Sequence, residues 1–356
     1  MLRRSLFFGL VVVAACSGAV AETTVAPTTT MATTTTTTST TTTTVPATTT
    51  SPPTTEAPGA ASPVNGMTVL DPAELDRRVI AIKIDNHIKA RPQSGIEQAE
   101  TVYEILVEGG ITRFIGLFHT ADSDFVGPMR SARPTDIGLV KPLGATFFVS
   151  GMQPWIRGLY REAEIYVLED VRPASFRIEE RNKPHNLYAD SELVREAADS
   201  SGFPDQAPHP IFVWGDLPGD APLARFVTFD WSAGHKIVWV WTGTQYVRTI
   251  NREPHTWVTS DFETEEQLAA GTVVVIMGDR YTARPSGRGT PVPAIETVGE
   301  GRALVFSGGR STEGTWARSS IEETFTLTGS DGSPLLVPPG RLWITVFPDD
   351  RPIEWS

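Results

Sequence analysis

The alternation of apolar and polar residues predicts a mixed α/β N-terminal domain over residues 67–214. Short runs rich in β-branched and aromatic residues, which are typical of strands, alternate there with segments whose apolar positions recur at helical spacing. The clearest helix covers residues 190–200, with Asp190 or Ser191 capping its first turn. Interleaved strands and helices favour a sheet with helices packed on it. The predicted strands are residues 79–86, 101–108, 112–119 and 145–151.

The pattern changes near residue 215. Proline is frequent between residues 204 and 222, and many short runs of β-branched and aromatic residues then follow, separated by Gly, Pro and Asp. Such spacing predicts a mainly-β C-terminal domain over residues 215–356, either a small sandwich or a barrel.

The segment VEGGITRFIGLFH, residues 107–119, places two glycines between two predicted strands and leaves charged residues among apolar ones. We predict a hairpin in which Gly109–Gly110 is a two-residue turn. Glu104, Glu108 and Arg113 then share one polar face, while the opposite, apolar face packs on the core. If the polar face is simply exposed, each ion pair contributes only about 0–1 kcal/mol. A functional interpretation therefore needs further polar groups that converge on this face.

Three further segments carry polar residues that we expect to meet this face in one shared cleft. Residues 85–94 follow a strand and residues 183–188 precede a helix. Residues 130–133 combine two arginines with a helix start, an arrangement that suits anions. The structural alternative is that these segments form turns, helix caps and surface ion pairs. The predicted ligand-binding residues are Asp85, Asn86, His87, Arg91, Gln93, Ser94, Glu104, Glu108, Arg113, Arg130, Ser131, Arg133, Lys183, His185 and Asn186.

Residues 1–16 have the features of a lipoprotein signal peptide. Arg3 and Arg4 precede an apolar run over residues 6–13, which is shorter than the roughly 20 residues that span a bilayer. Small residues then precede Cys16, the single cysteine of the chain, so we predict lipidation there and anchoring to the outer face of the bacterial cytoplasmic membrane. A plain secretory signal and a secreted product are the alternative. With one cysteine, a disulfide within the chain and a multi-cysteine metal site are excluded.

Residues 17–66 are predicted to be a disordered linker. They are rich in Thr and Pro and contain few apolar side chains, so burial cannot repay the entropy of ordering them. This composition is also typical of an O-glycosylated stalk. As a coil, its Thr-rich stretch would span roughly 35 Å, enough to separate the folded domains from a membrane.

The charge of the chain narrows the range of partners. The formal net charge is -12 at pH 7, whereas general nucleic-acid binding depends on Lys and Arg that neutralise phosphates. We therefore predict no nucleic-acid partner. The chain contains neither a GxSxG nor an HExxH motif, and we predict no cofactor and no metal.

Four segments are together similar to one known family. IKIDNHIKARPQSGI, YEILVEGGITRFIGLF, GPMRSARP and KPHNLY resemble the YerB-like family of bacterial lipoproteins, and they occur in the order expected of it. The resemblance implies an envelope-anchored protein with an N-terminal and a C-terminal domain and no established activity. It gives no catalytic residues that could be carried over to this sequence.

Three functions fit the sequence, and we favour the first. It is a membrane-anchored lipoprotein that binds an anionic envelope ligand, such as a peptidoglycan peptide or a teichoic phosphate, in the N-terminal cleft. Guanidinium and ammonium groups would contact the anion, and carboxylates would orient them. The cationic residues concerned are Arg91, Arg113, Arg130, Arg133 and Lys183, and the acidic ones are Asp85, Glu104 and Glu108.

Two alternatives remain open. One is an adaptor that binds an envelope protein through tryptophans of the C-terminal domain, since interfaces favour aromatic residues, although the same side chains could fill the β core. The other is a hydrolase of envelope polymers, with a carboxylate pair or a Ser–His pair as catalytic groups. The adaptor residues would be Trp231, Trp239, Trp241 and Trp257, and the Ser–His pair would come from Ser94, Ser131, His87 and His185.

Overall fold

The structure of the chain is a computed structural model that describes residues 59–356. The predicted signal peptide, with the lipidation site Cys16, lies outside the described residues, and so does the predicted linker up to residue 58. Among the described residues, no helix is both long and apolar enough to cross a bilayer.

The described chain has a mixed N-terminal part with few helices and a mainly-β C-terminal part, which confirms the predicted fold class. The N-terminal part contains β1 (Ala60–Ala61), β2 (Thr68–Val69), β3 (Ile80–Ile84), β4 (Thr101–Leu106), β5 (Thr112–Phe118), α1 (Pro134–Val140), β6 (Thr146–Val149), α2 (Pro154–Glu162), β7 (Val167–Glu169), β8 (Ser175–Arg177), β9 (Leu187–Ala189) and α3 (Ser191–Ser200). Short 3-10 helices cover Pro72–Leu75, Ile88–Ala90, Glu108–Gly110 and Lys141–Leu143.

The C-terminal part consists of strands joined by turns and loops. They are β10 (Phe226–Ser232), β11 (His235–Trp241), β12 (Tyr246–Ile250), β13 (Glu253–Pro254), β14 (Thr256–Val258), β15 (Glu265–Gln267), β16 (Ala269–Ala270), β17 (Thr272–Gly278), β18 (Arg280–Ala283), β19 (Val292–Ile295), β20 (Gly299–Ser307), β21 (Arg310–Arg318), β22 (Thr326–Gly329), β23 (Leu342–Pro348) and β24 (Ile353–Trp355).

One sheet of ten strands runs through both parts, in the order β22-β21-β20-β17-β23-β4-β5-β3-β6-β7. Strand β23, near the end of the chain, pairs in parallel with β4, so that Leu342 lies opposite Thr101. Apolar side chains of both parts form one continuous core. The change in composition near residue 215 is therefore not a break in the sheet.

The two faces of the ten-stranded sheet are covered differently. On one, which we call the helix face, Phe147 of β6 stacks on Tyr160 of α2 with ring centroids 6.1 Å apart. On the other, the sheet face, a second sheet of order β13-β12-β11-β10-β24 packs through aromatic pairs. Trp239 of this second sheet meets Trp343 of β23 edge to face, with ring centroids 5.2 Å apart. Both faces of the central strands are buried, which explains their nearly continuous apolar runs.

The hairpin of β4 and β5 forms as predicted, but its predicted register is wrong. Glu104 lies opposite Phe114 and Leu106 opposite Thr112, so the loop has three residues, Glu108–Gly110, and not two. A loop longer by one residue moves every side chain of β5 to the other face. Glu104 and Arg113, which were expected to share a face, therefore point to opposite sides of the sheet.

The folded region begins earlier than the predicted linker end at residue 66. Residues 60–61 pair with β2, and the side chain of Val64 is fully buried. Thr101 of β4 donates its hydroxyl to the carbonyl oxygen of Val64 at 2.6 Å. This valine anchors the segment, because its burial offsets part of the entropy that ordering costs.

The tryptophans considered as adaptor anchors lie in the core or against it. Trp231 and Trp239 are 2% and 0% exposed and fill the space between the two sheets. Trp241 and Trp257 are partly buried and pack against the same core. These side chains are therefore accounted for by packing within the chain.

Candidate functional site

The polar residues predicted to share one cleft form two clusters on opposite faces of the sheet. The helix-face cluster consists of Asp85, Glu108, Arg113, Arg130, Arg133 and His185. The sheet-face cluster consists of Asn86, Arg91, Gln93, Glu104, Thr112, His235, Arg248 and His255.

Asp85 is the centre of the helix-face cluster. It directly follows β3, its side chain is 1% exposed, and its Oδ2 accepts from Arg130 Nε at 2.9 Å and from His185 Nδ1 at 2.8 Å. Its Oδ1 accepts from the backbone N–H of His87 at 3.2 Å and lies 4.0 Å from Arg113 Nε. Both oxygens of this buried carboxylate are therefore engaged by donors of the chain.

Glu108 holds a second arginine at the tip of the hairpin. Arg133 Nη2 lies 2.7 Å from Glu108 Oε1, and Arg133 Nε donates to Oε2 at 2.9 Å, which is a two-pronged pair. Burial opposes the ionisation of Glu108, but the hydrogen bond and charge of Arg133 outweigh it, so the pKa of Glu108 lies below its usual range. The loop glutamate is thus a fixed negative charge.

The helix-face cluster carries more positive than negative charge. Arg113, Arg130 and Arg133 face the two carboxylates of Asp85 and Glu108. Burial and then the neighbouring Arg133 lower the pKa of Arg113 to about 10, so it stays charged at neutral pH. Within residues 59–356, no protein acceptor lies in hydrogen-bond range of the two terminal amino groups of Arg130, whose side chain is 23% exposed. The cluster therefore presents spare donors to solvent.

Two histidines border the cluster on its exposed side. The rings of His87 and His185 stack with centroids 4.9 Å apart and an interplanar angle of 13°. Burial, followed by the proximity of His185, lowers the pKa of His87, which favours a neutral ring at pH 7. Because Asp85 accepts from Nδ1 of His185, a neutral His185 carries its proton there and leaves Nε2 as a lone-pair acceptor.

The cluster lies where strand ends meet. Strands β3 and β6 are parallel, Asp85 follows the first and Ser150 follows the second. The hydroxyl of Ser150 is 3.4 Å from that of Ser131, and the carbonyl of Ser131 accepts from Arg113 at 3.0 Å. In open α/β sheets, ligands bind at the carboxyl ends of parallel strands, which is the edge that this cluster occupies.

A buried ion pair beneath the cluster fixes the helix that carries Arg133. Lys83 Nζ lies 2.7 Å from Asp136 Oδ1 of α1, and both side chains are 0% exposed. Burial lowers the pKa of Lys83 to about 8, although Asp136 opposes the shift. The pair joins β3 to α1 and keeps Arg133, the residue before the helix, beside Glu108.

The sheet-face cluster is centred on Glu104, which sequence reasoning had assigned to the cleft. Glu104 is 1% exposed and accepts from Arg248 at 2.6 Å, Thr112 at 2.7 Å and Trp343 at 2.8 Å. The guanidinium of Arg248 is fully buried and lies 5.1 Å from the ring centroid of Trp343. With every oxygen of Glu104 occupied, this carboxylate joins the two sheets and is closed to ligands.

Three more predicted residues belong to the same network. The Asn86 amide donates to Thr112 at 2.8 Å and accepts from Arg91 at 2.9 Å. Gln93 donates to the carbonyl of Asp85 at 2.9 Å, and its own oxygen lies 2.9 Å from His255 Nε2. The dipeptide Asp85–Asn86 therefore contributes one side chain to each cluster.

The sequence reasoning missed Arg248, His235 and His255. The sequence did contain a signal for Arg248 and His235. Arg248 lies in the same alternating positions as Tyr246 and Ile250, and His235 in those of Ile237, which are the inward positions of their strands. A charged or polar residue at an inward position requires a buried partner.

Three predicted residues lie apart from the helix-face contacts. Ser94 is buried, its backbone pairs with Gly127, and its hydroxyl has no hydrogen-bond partner within residues 59–356. Asn186 accepts from Arg177 at 2.7 Å and donates to the carbonyl of Ile178 at 3.0 Å. Lys183 is exposed and makes no ion pair with any described residue.

Both parts of the chain match the models of one known protein family. A family model described as the N-terminal domain of a protein of unknown function, DUF3048, matches residues 64–204, and the model of its C-terminal domain matches residues 226–344. The chain belongs to the DUF3048 family. The predicted membership of a two-domain family of unknown function is therefore confirmed. Every residue of the helix-face cluster lies in the DUF3048 N-terminal match.

One relative of the chain is the "Putative lipoprotein YerB" of Bacillus subtilis strain 168. It is 27% identical over 282 residues, which are 77% of this chain and 82% of the relative. The crystal structure of YerB from Bacillus subtilis matches with a TM-score of 0.70 at 24% identity, covering 83% of this chain and 99% of that one, and it shares the fold. These relationships support a DUF3048 lipoprotein of unknown function on the envelope side of a membrane.

Proposed function

We propose that this protein is a lipid-anchored envelope protein that binds an anionic ligand at the helix-face cluster. The observation that carries the proposal is the excess of guanidinium over carboxylate groups around Asp85, with spare donors on the partly exposed Arg130. A phosphate or carboxylate group would supply the missing acceptors, and planar guanidiniums bind both in a two-pronged way. In an otherwise acidic chain, this local excess of positive charge would attract an anionic ligand.

In this proposal the acidic side chains position the arginines. Asp85 fixes Arg130 through Nε and leaves its terminal amino groups for the ligand. Glu108 engages both Nε and Nη2 of Arg133 and so fixes that guanidinium beside the site. His185 and His87 flank the same opening and add donors when protonated.

The proposed location rests on the sequence. Cys16 would carry the lipid and hold the protein on the outer face of the cytoplasmic membrane, and the Thr-rich segment would let the folded part reach the cell wall. An anionic cell-wall polymer or peptide is the kind of ligand available there. The lipoprotein relative YerB supports this placement.

Neither alternative function is favoured by a specific contact. The tryptophans considered for an adaptor pack within the chain. For the hydrolase, no hydrogen bond joins Ser94 or Ser131 to His87 or His185 within the described part of the chain.

Arg130→Ala tests the proposal. We expect the full-length variant, purified in detergent, to bind sn-glycerol 3-phosphate at least about tenfold more weakly than the unmodified protein in isothermal titration calorimetry, because two charge-assisted donors are lost. Retention on purified cell-wall material should fall in parallel.

Arg302→Ala is the matched control. It also removes one positive charge, but Arg302 pairs with Glu313 on an exposed strand pair, so binding should stay unchanged. Arg130→Lys keeps the positive charge but loses the planar, two-pronged guanidinium. This variant should still bind the probe more weakly than the unmodified protein. Equal affinities for Arg130→Ala and Arg302→Ala, with equal unfolding midpoints, would reject the proposed role of Arg130.

A further inference from the structure

A cleft of about 600 Å³ opens beside the tip of the β4–β5 hairpin, and of its lining residues the proposed function uses only Glu108. This volume falls in the range of small-molecule sites. The cleft, which we call the hairpin-tip cleft, is lined by Leu106–Gly110, Trp231, Ser232, Arg280–Thr282, Pro293 and Arg351.

Two arginines give the hairpin-tip cleft a positive wall. Arg280 pairs with Asp350, whereas Arg351 makes no ion pair with any residue of the described range 59–356. The one carboxylate in the lining, Glu108, is already engaged by Arg133. An acidic group entering the cleft would therefore find a guanidinium that lacks a protein partner.

Tyr281 also lines the cleft, follows Arg280 on β18 and is 44% exposed. An exposed ring on a residue that lines a cleft offers an apolar platform for the C–H face of a sugar or a polyol.

Glu108 connects this cleft to the helix-face cluster. One side of the Glu108 loop lines the cleft, and the carboxylate itself binds Arg133 of the cluster. The cluster lies at the end of β3, and Arg351 follows β23, three strand spacings away in the order β23-β4-β5-β3. With strands about 4.8 Å apart, the ends of β3 and β23 are about 14 Å from each other along the sheet edge.

We propose that the hairpin-tip cleft is a second subsite for the same ligand, and that the ligand is a phosphodiester-linked polyol or sugar oligomer. This inference rests on the proposed function, since Arg130 would hold one phosphate of the chain. Arg351 would hold another beyond the end of β23, and the intervening unit would pack on Tyr281.

The chemistry of the lining favours a phosphodiester chain over an acidic peptide. A peptide brings backbone N–H groups that need acceptors, but the only lining carboxylate is paired and Ser232 already donates to the carbonyl of Gly110 at 2.8 Å. A phosphodiester carries a charge in each repeat and presents acceptors to the guanidiniums. Two linked contacts would also raise affinity through effective concentration.

Three probes and four variants of the full-length protein test the inference by titration calorimetry. The probes are sn-glycerol 3-phosphate, a synthetic glycerol phosphate hexamer and hexaglutamate. The variants are Arg351→Ala, Arg130→Ala, Tyr281→Ala and the charge-matched control Arg302→Ala. We expect Arg351→Ala to bind the hexamer on the order of tenfold more weakly than the control, with its affinity for sn-glycerol 3-phosphate unchanged. Tyr281→Ala should also weaken only hexamer binding.

The outcomes separate the two proposals. Equal hexamer affinities for Arg351→Ala and Arg302→Ala would overturn the second subsite, even if Arg130→Ala weakens both phosphate probes. If hexaglutamate binds as tightly as the glycerol phosphate hexamer, and if Arg351→Ala lowers both affinities equally, the cleft binds acidic peptides. The phosphodiester assignment is then overturned. If Arg130→Ala leaves monophosphate binding unchanged, the proposed function is rejected, and so is the two-site arrangement that rests on it. No binding of any probe would also reject both.

Discussion

At the scale of single residues, the structure pairs nearly every charge that it buries. Arg248 and Glu104 are both almost inaccessible and lie 2.6 Å apart, since an isolated charge would be costly in the interior. Asp85 is satisfied in the same way by Arg130 and His185 on the other face. Arg130 is 23% exposed, and its terminal amino groups have no protein acceptor among residues 59–356. For this reason we assign these two groups to the ligand.

His235 should make the stability of the fold depend on pH. Burial, and then the charge of Arg248, lowers its pKa to about 3 from the model-peptide value of 6.5. As pH falls below 6.5, the unfolded chain binds a proton that the folded state resists, so the free energy of unfolding decreases with decreasing pH until about pH 3. Between pH 7 and pH 4 this one group should cost on the order of 3 kcal/mol.

The measurement is urea unfolding of the unmodified protein and of His235→Asn at a series of pH values. The variant loses the titrating ring at the position that contacts Thr112, so its stability should fall less between pH 7 and pH 4. His255 is also buried with a depressed pKa, but it stays in both proteins, and the two largest causes of its shift, burial and Arg248, are unchanged by the substitution. Parallel curves for the two proteins would contradict this assignment.

At the scale of elements, the loop between β4 and β5 decides which side chains meet. Its three residues place Glu108 beside Arg133 and turn Arg113 toward Asp85. Gly109 and Gly110 both have positive φ angles, 77° and 69°, a conformation that other residues adopt only at a cost.

Alanine at each of these glycines separates backbone strain from steric contact. A Cβ on Gly109 meets nothing within 4 Å, so Gly109→Ala should lower the free energy of unfolding by about 1 kcal/mol from strain alone. A Cβ on Gly110 would lie 2.9 Å from Ser232, so Gly110→Ala should cost clearly more, about 2–3 kcal/mol. Denaturant unfolding measures both, and equal losses would show that the contact with Ser232 has no role.

At the scale of the whole molecule, the two family domains share one sheet. Strand β23 lies between β17 and β4, so the edge of β4 is covered only by a strand from the far end of the chain. The Glu104–Arg248 pair and the aromatic contacts between the sheets cross the same junction. Each half alone would expose unpaired backbone and an apolar surface.

We therefore expect residues 59–214 to lack cooperative unfolding when expressed alone. Without β23, the exposed edge of β4 and the uncovered sheet face should leave this fragment partly folded or aggregated. Co-expression with residues 215–356 should restore the cooperative urea transition of the intact chain. Near-UV circular dichroism and urea unfolding measure this, and a sharp transition in the isolated fragment would show that the shared sheet is dispensable.

The sequence by itself determined the local elements, the order of the two parts and the family. Strands such as β3 and helices such as α3 follow from the spacing of apolar residues and from the cap at Asp190, because these signals reflect contacts between near neighbours in the chain. The sequence also predicted one cleft for Asp85, Arg130, Arg133 and His185, which follow a strand or precede a helix, whereas it placed Arg113 there only through the face that was expected to carry Glu104.

Only the tertiary structure decided which polar residues share a face. One additional loop residue separated Glu104 from Arg113, and periodicity cannot count the residues of a turn. The partner of Glu104 lies 144 positions further along the chain, on a strand whose place in the second sheet is set by long-range packing. No local pattern in the sequence names a partner so far away. The closed sheet-face cluster could therefore be told apart from the open helix-face cluster only in the assembled pair of sheets.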